Sequence, residues 1–521
     1  MKAMNITNII KKTICLFGAA VSLLTVSVSC DKWLTAVSTS QISDQKLFQT
    51  RLGYEEALTG VYISMAQPEC YGMDYTWWVC DAVAYPYTAM QQANYRAFQS
   101  HLYTTNEAQP ILESMWKSGY FVIANANKIL TMLEENGSDV LEEAEYRLIK
   151  GELLAVRAYV HFDLSRMFDK YRADLASSEK LAIPYQLSYD KEPCPQLSYA
   201  ETYSLILKDI AESLELLADT DPIVVGYSDA FNRGPNVNGY WEGRRKHLNY
   251  YAVKALQARV YQWFSDYKNA AKSAQEVIDA VFDKEIVTWV DPDAQLKIYD
   301  NDARDWTFSS EHLFSLEVTE LHSSVLPYFF SPGQGSGYYV PVEVVENSFF
   351  FRSPFSDYQG GMEDIRGSAM WLSYSGDHYT VNKLYGSSTQ AMQYRNILPM
   401  LKISEMYYIM AENEIFNGSL SQAAAYMDIV RHNRGVTDDY ATSQPYLVTD
   451  QHDCGEELMK EYFREFIGEG QVMYMLKKFF SREYIKEGAL VNFPNTISMD
   501  IKSYQFPYPV EEIAYGRIQD I

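Results

Sequence analysis

Two stretches far apart in the chain carry one pattern. Residues Tyr250–Asp279 read "YYAVKALQARVYQWFSDYKNAAKSAQEVID", and residues 401–434 contain "LKISEMYYIMAENEI" and "YMDIVRHNR". Displacing the first by 153 positions brings Ala258 onto Ala411, and Tyr267, Ala270, Ala274 and Val277 onto Leu420, Ala423, Met427 and Val430. Spacings of three, four and three keep one helix face in register. Small residues on that face let two helices approach closely. This is the signature of a tetratricopeptide-like helix hairpin, without the Trp and Gly of the full motif. Such hairpins stack on their neighbours, yet about 120 residues separate these two. The chain is therefore expected to bring two hairpins together in space and to make a long excursion between them.

Helical periodicity recurs elsewhere. It predicts helices over about 51–65, 114–134, 141–169 and 199–218, the two hairpins at about 249–264 with 267–281 and 401–416 with 420–434, and a last long helix over 455–480. The excursion, about 285–400, loses this period. It holds "SPGQGSGYY", "FRSPFSDYQGG" and "LSYSGDHYT" with Trp289, Trp306 and Trp371, and reads as long loops with short strands. The fold class expected is mainly α, a helix-hairpin scaffold decorated with long loops and short strands. Loops of this length inside a domain usually carry function.

A second aromatic segment follows the first helix. "YGMDYTWWVCDAVAYPY", Tyr71 to Tyr87, interleaves rings with Asp, Thr, Cys and Pro in neither a helical nor a strand period. Rings stack on the apolar faces of sugars or clamp peptide side chains, while Asn, Asp and Arg satisfy hydroxyls and amides. The candidate ligand-binding residues are Tyr71, Tyr75, Trp77, Trp78, Tyr85 and Tyr87, with Trp306, Tyr338, Tyr339 and Trp371 from the excursion. Taken singly, each ring is more often core than contact; the cluster is the better candidate.

The N-terminus reads as an export signal. Lys2, Lys11 and Lys12 precede the uncharged run "TICLFGAAVSLLTVSV", which ends in "SVSC". Small residues before Cys30 resemble a bacterial lipobox, with Ser27 where Leu is usual, so Cys30 is the expected lipidation site. The polar stretch after it reads as a tether. Loss of the first 29 residues removes three lysines and no acid, so the net charge of −24 becomes −27. That excess disfavours nucleic-acid binding, which needs basic patches. No later apolar run is long enough to cross a bilayer.

Motifs for catalysis and metals are thin. There is no G-x-S-x-G, H-E-x-x-H or P-loop. "YDNDARD" (Tyr299–Asp305) offers Asp300, Asp302 and Asp305 in a calcium-like spacing, but the required Gly is missing and Arg304 stands at a ligand position. A solvated acidic loop is the plainer reading, and neither metal nor cofactor is expected. His161, inside a long helix, reads as packed rather than catalytic. Cys70 and Cys80 either bridge or stand as separate buried thiols; the spacing does not decide.

Four segments match a known family. "GELLAVRAYVHFDLSRMFDKY" (Gly151–Tyr171) resembles the Arg-Ala-Tyr helix of the SusD/RagB family, and Tyr250–Asp279 resembles its central hairpin. The later hairpin, with Arg431 and the Arg434–Gly435 pair, and "FPYPVEEI" (Phe506–Ile513) are similar to the family's corresponding segments. The resemblance implies a SusD-like fold and a non-enzymatic lipoprotein on the cell surface, anchored in the outer membrane. Its implied role is to capture oligosaccharides, or in some members oligopeptides, for a SusC-like TonB-dependent transporter. The implied layout is a signal peptide (1–29), a lipidated tether (30–49) and a single SusD-like domain (50–521). Within that domain a helical body (about 50–284 and 401–490) flanks the loop-rich insert (about 285–400). One departure stands out. In "KEYFREFIGEGQVMYMLKKF", Glu461, Glu465, Glu469 and Gly470 are kept, while Gln471 and Met475 replace expected charged positions. That divergence weakens transfer of a starch-like ligand and leaves peptide as the alternative. A surface hydrolase is the rival from another class.

Overall fold

The longest helix is buried almost from end to end. In the computed structural model, which describes residues 46–84, 87, 93–171, 174–190, 192–329, 339–341, 364–374, 378–384, 389–481 and 501–519, Leu148 to Phe168 are buried nearly without interruption. A helix buried all round forms the centre of a helical array, and the described elements are mostly helical. They are α1 (Arg51–Met65), α2 (Val79–Ala84), α3 (Ala93–Gln99), α4 (Gln109–Met132), the central α5 (Glu143–Phe168) and α6 (Tyr199–Leu217). The first hairpin is α7 (Tyr250–Trp263) with α8 (Tyr267–Asp283); α9 (Leu321–Phe329) follows in the insert. The second hairpin is α10 (Ile403–Asn417) with α11 (Leu420–His432), followed by α12 (Gln451–Glu465) and α13 (Gln471–Ser481). By contact density the chain divides into Met1–Tyr54 and Glu55–Ile521. In the first unit the rings of Phe48 and Tyr54 lie 5.0 Å apart.

Local chemistry sets the helix starts. Ser198 and Glu201 form a reciprocal capping box on α6: Glu201 N donates to Ser198 Oγ (3.2 Å) and Ser198 N to Glu201 Oε2 (2.9 Å). Asn249 caps α7 by accepting from Ala252 N (3.0 Å), and Asp450 caps α12 by accepting from His452 N (2.8 Å).

In the second unit the helices pack in series: α4 on α5, α5 on α6, α6 on α7, α7 on α8, α8 on α10 and α10 on α11. The two distant hairpins thus share the α8–α10 contact, as their common pattern requires. Bidentate Arg259–Glu405 pairing (2.6 and 2.7 Å) joins them in the interior, and the Tyr267 and Phe416 rings lie 4.8 Å apart.

The chain leaves the scaffold after α8 and returns before α10 through an antiparallel strand pair. Here β3 (His312–Glu317) runs against β7 (Ile397–Lys402), from His312 opposite Lys402 to Glu317 opposite Ile397. This pairing also explains why the helix expected from residue 401 begins at Ile403. Between the two strands, β4 (Tyr339–Pro341), β5 (Leu372–Tyr374) and β6 (His378–Val381) form an antiparallel sheet with β6 in the middle. Two further strands, β1 (Leu181–Pro184) and β2 (Gln196–Ser198), pair ahead of α6. Numbering of the strands follows the chain.

Two expectations needed correction. The insert contains helix α9, which its Pro327 and aromatic composition had masked. The single helix expected over 455–480 is two, α12 and α13. Between them Gly468 (φ +78°) and Gly470 (φ +71°) turn the backbone into a conformation that favours glycine. A Cβ at Gly470 would lie 2.6 Å from the carbonyl oxygen of Tyr75, so the residue is also required by close approach.

Candidate functional site

The aromatic segment after α1 is interior. Tyr71, Tyr75, Trp77, Trp78 and Tyr87 are all at most 2% exposed. Three of them bond inward: Tyr71 Oη donates to Asp163 (2.9 Å), Tyr75 Oη to Met115 O (2.6 Å) and Trp77 Nε1 to Gly72 O (2.9 Å). Tyr328 and Phe329 of α9 lie over these rings, with Trp77 5.5 and 5.9 Å from them by ring centroid. Trp371 is equally buried, stacked on Phe308 at 4.8 Å and donating to Trp306 O (2.8 Å). Six of the expected ligand plates therefore present no face for stacking, and their role is corrected to packing. The physical reason is that rings of α9 cover the 71–87 stretch, while Phe308 and Lys383 of the insert itself cover Trp371. Tyr85 and Tyr338 lie outside the described residues, and only the backbone of Tyr339, in β4, is described.

Trp306 is the expected residue that meets a cleft. It is 4% exposed, with its indole nitrogen donating to Asn301 O (2.9 Å), and it lines a recess of about 300 Å³ of empty space counted with its open mouth. The other walls are Thr307, Leu321 and His322, then Leu384, Gln390, Tyr394, Asn396 and Ile397. This lies within the insert, where loops were expected to carry function. Without the open mouth it holds about 10 Å³, room for about one water and far below an ordinary ligand site.

The loops around the recess are braced. Ala391 N donates to Asp302 O (3.0 Å), and Thr389 Oγ1 donates to the Asp302 carboxylate. Arg304 Nε donates to Ile298 O (2.6 Å), and Val318 N to Asn396 O (2.9 Å). Asn396 sits in the left-handed region (φ +62°), a conformation asparagine tolerates, just before β7. Burial lowers the pKa of His322 below its ordinary value, which favours a neutral ring.

The acidic loop does not converge on a point. Asp300 Oδ1 accepts from Asp302 N (3.0 Å), Asp302 takes the Thr389 hydroxyl, and Asp305 accepts from Ser309 N (2.7 Å) and Ser309 Oγ (2.8 Å). Among the described residues no group of three or more His, Cys, Asp or Glu is placed to hold a metal ion. The sequence reading missed His322, Gln390, Tyr394 and Asn396, since none stands in a motif. Tyr299 was quoted only as the first letter of the acidic loop; it is 92% exposed.

Comparison with known proteins decides the family. A family model described as "Starch-binding associating with outer membrane" matches residues 33–226, and the SusD family model matches residues 359–507. The chain belongs to the SusD/RagB family. Solved structures agree on the SusD fold. A SusD superfamily protein from Bacteroides thetaiotaomicron VPI-5482 has 18% identity and a TM-score of 0.64, over 90% of this chain and 99% of that one. One from Bacteroides vulgatus ATCC 8482 has 18% identity and a TM-score of 0.65, over 90% and 98%. A SusD-like carbohydrate binding protein from the same organism has 15% identity and a TM-score of 0.57, over 82% and 83%. No curated protein matches the chain.

The SusD/RagB motif residues prove to be scaffold. Arg157 of the Arg-Ala-Tyr helix makes a bidentate pair with Asp209 (both 2.7 Å), to which Tyr185 also donates (2.7 Å). Arg434 pairs with Glu311 (2.6 and 2.7 Å) and with Glu465 (2.9 and 3.1 Å), all fully buried. Glu465 also accepts from Ser404 Oγ (3.0 Å) and Lys402 Nζ (3.1 Å). Burial opposes ionisation of Glu465, but Arg434, Lys402 and Arg366 outweigh it and hold the carboxyl well below the usual range. Glu461, buried but paired with Arg366 (2.8 Å) and Arg464 (2.6 Å), is brought down to about 2.

The SusD/RagB departures are structural too. Gln471 Oε1 accepts from Arg166 (3.2 Å), and Met475 is 5% exposed. Gln471 thus ties α13 to α5, and Met475 is interior. His161 is packed, as expected: buried, stacked on Tyr185 at 3.9 Å, with Nε2 accepting from Gln186 N (3.0 Å) and its pKa lowered by burial to about 3. Cys70 and Cys80 are two separate buried thiols.

Proposed function

We propose that this SusD/RagB protein is a surface lipoprotein, held in the outer membrane through lipid on Cys30 and a tether over residues 30–49. In this reading it captures oligosaccharides and passes them to a SusC-like TonB-dependent transporter. The observation that carries the reading is the match of residues 33–226 and 359–507 to the family's models. The family description, starch-binding and associated with the outer membrane, supports the address and the ligand class. No described helix is long and apolar enough to cross a membrane, and the apolar run before Cys30 lies outside the described residues.

The role is binding without chemistry. Weak capture suffices, because a ligand held beside a pore has a high local concentration there. Titration of the purified chain with oligosaccharides and oligopeptides, read by calorimetry, tests the ligand class. Chromatography of the same mixtures tests the rival hydrolase: products shorter than the added oligomer would replace binding with catalysis. Affinity purification from outer membranes, with a TonB-dependent barrel expected in the eluate, tests the partner.

A further inference from the structure

We propose that Asp74, in the turn between α1 and α2, receives a primary alkylammonium group beside Glu69 and Tyr328, as a lysine side chain or a free diamine carries. The site is separate from the recess beside Trp306 and does not depend on the oligosaccharide reading.

The two acids of the aromatic segment are held differently. Asp81 is sealed and accepts from the amides of Gly468 (2.5 Å) and Gly470 (2.9 Å). Asp74 is only 8% exposed, yet among the described residues no hydrogen bond and no cation reaches its carboxylate. The charge it feels is another acid, Glu69. A carboxylate buried to that degree ordinarily has a partner, because giving up water without one is costly. Its oxygens are not sealed from solvent. Asp74 N donates to Pro68 O (2.9 Å), which seats the residue against the exposed Pro68 and Glu69. Tyr328 of α9 is within electrostatic reach of Asp74, as are Cys70, Tyr75 and Cys80. Burial raises the pKa of all four above its ordinary value, so they stay neutral.

These groups set the class of occupant. An ammonium supplies the donors that Asp74 lacks and gains from Glu69 as a second negative charge. It is a compact charge on a thin stem, suited to a narrow opening, whereas a planar guanidinium asks for two parallel contacts. Half-buried Tyr328 and exposed Pro68 offer apolar surface to the stem. A metal ion fits less well, since hard cations take six or more oxygen ligands and no three His, Cys, Asp or Glu among the described residues are grouped for one. Burial, and then Glu69, raises Asp74 to about 8. Below that pH the ammonium must displace the carboxyl proton. Apparent affinity should therefore rise by close to tenfold per unit from about pH 6 toward 8, then level off until the amine itself deprotonates near about 10.4.

Ligand-observed NMR titration of the full chain with Nα-acetyl-lysine methylamide and with 1,5-diaminopentane tests this, at about 0.15 M salt to screen the diffuse negative charge of the chain. At least one of the two is expected to bind: the lysine derivative alone would point to a peptide source, the diamine to a free polyamine. Acetylation of the amine should weaken binding about tenfold or more. Asp74→Asn should do the same while leaving the melting temperature unchanged or raised, because it keeps the shape and removes a buried acid. Glu69→Gln should cost about threefold. Binding of neither probe would overturn the inference. So would equal affinity in Asp74→Asn or for the acetylated probe, no change between about pH 6 and 8, or calcium held at Asp74 in place of the amine. None of these outcomes bears on oligosaccharide capture.

Discussion

Residues 71–84 and 298–306 are both mixtures of rings and aspartates, and they do opposite things. In the first, the side chains anchor inward: the Tyr71 hydroxyl donates to Asp163 of α5, and Asp81 receives the amides of Gly468 (2.5 Å) and Gly470 (2.9 Å). In the second, Asp300, Asp302 and Asp305 tie a surface loop to itself and to residues 389–391, leaving the Tyr299 ring outside. Ring density says how much aromatic area a segment has. The partners of its carboxylates, which come from elsewhere in the chain, decide which way that area faces.

The largest expected effect lies in the interior. Arg434→Met leaves Glu311 and Glu465 buried around a missing countercharge, a loss of about 3–5 kcal/mol, measurable as a lowered urea midpoint. A loss below about 1 kcal/mol would mean the cluster is solvated and the interior less sealed than described. Trp77→Ala opens a cavity under α9 and should cost about 3–5 kcal/mol with unchanged glycan affinity in the folded fraction. Retained stability with lost affinity would return this ring to the ligand surface.

Acid should act on the interior before the rim. Glu152, Glu457 and Glu461, buried but held by Arg244, Lys460 and Arg366 among others, have pKa values lowered to about 2 against an ordinary 4.5. His161 and His312 are lowered by burial to about 3 against 6.5. For these groups the unfolded chain binds more protons, but Asp74 and Asp81, raised by burial to about 8, and Asp169 and Asp305, raised to about 6, act with the opposite sign above their ordinary 3.8, so the net loss of stability is expected as pH drops from about 4 toward 2. Urea midpoints should decline between about pH 4 and 2; a flat stretch there would mean the paired glutamates are not sealed. The smallest effect is at Tyr299→Ala, expected within about 0.5 kcal/mol of the parent in stability. A larger loss would show that the ring packs and would erase the contrast between the two segments.

How much of this could be read from the letters differs between scaffold and site. The hairpins were legible because Ala258, Ala270, Ala411 and Ala423 repeat a local helical period, and local periods need no knowledge of partners. The break between α12 and α13 was hidden because Gly468 and Gly470 each look tolerable in a helix; the need for them comes from Asp81 and Tyr75, nearly 400 residues away. The insert was legible as a loop-rich region, and Trp306 lines a small recess within it. The other lining groups were not, because Gln390, Tyr394 and Asn396 acquire their meaning only from facing Trp306 and His322.

One feature of the exit and return of the chain reaches beyond this protein. With β3 and β7 zipped together, the two ends of the intervening segment are fixed side by side on the helical array, whatever lies between them. Length and wording there can drift while the hairpins on either side keep their grip on each other. A lineage built this way can rewrite a single detour and leave its scaffold untouched.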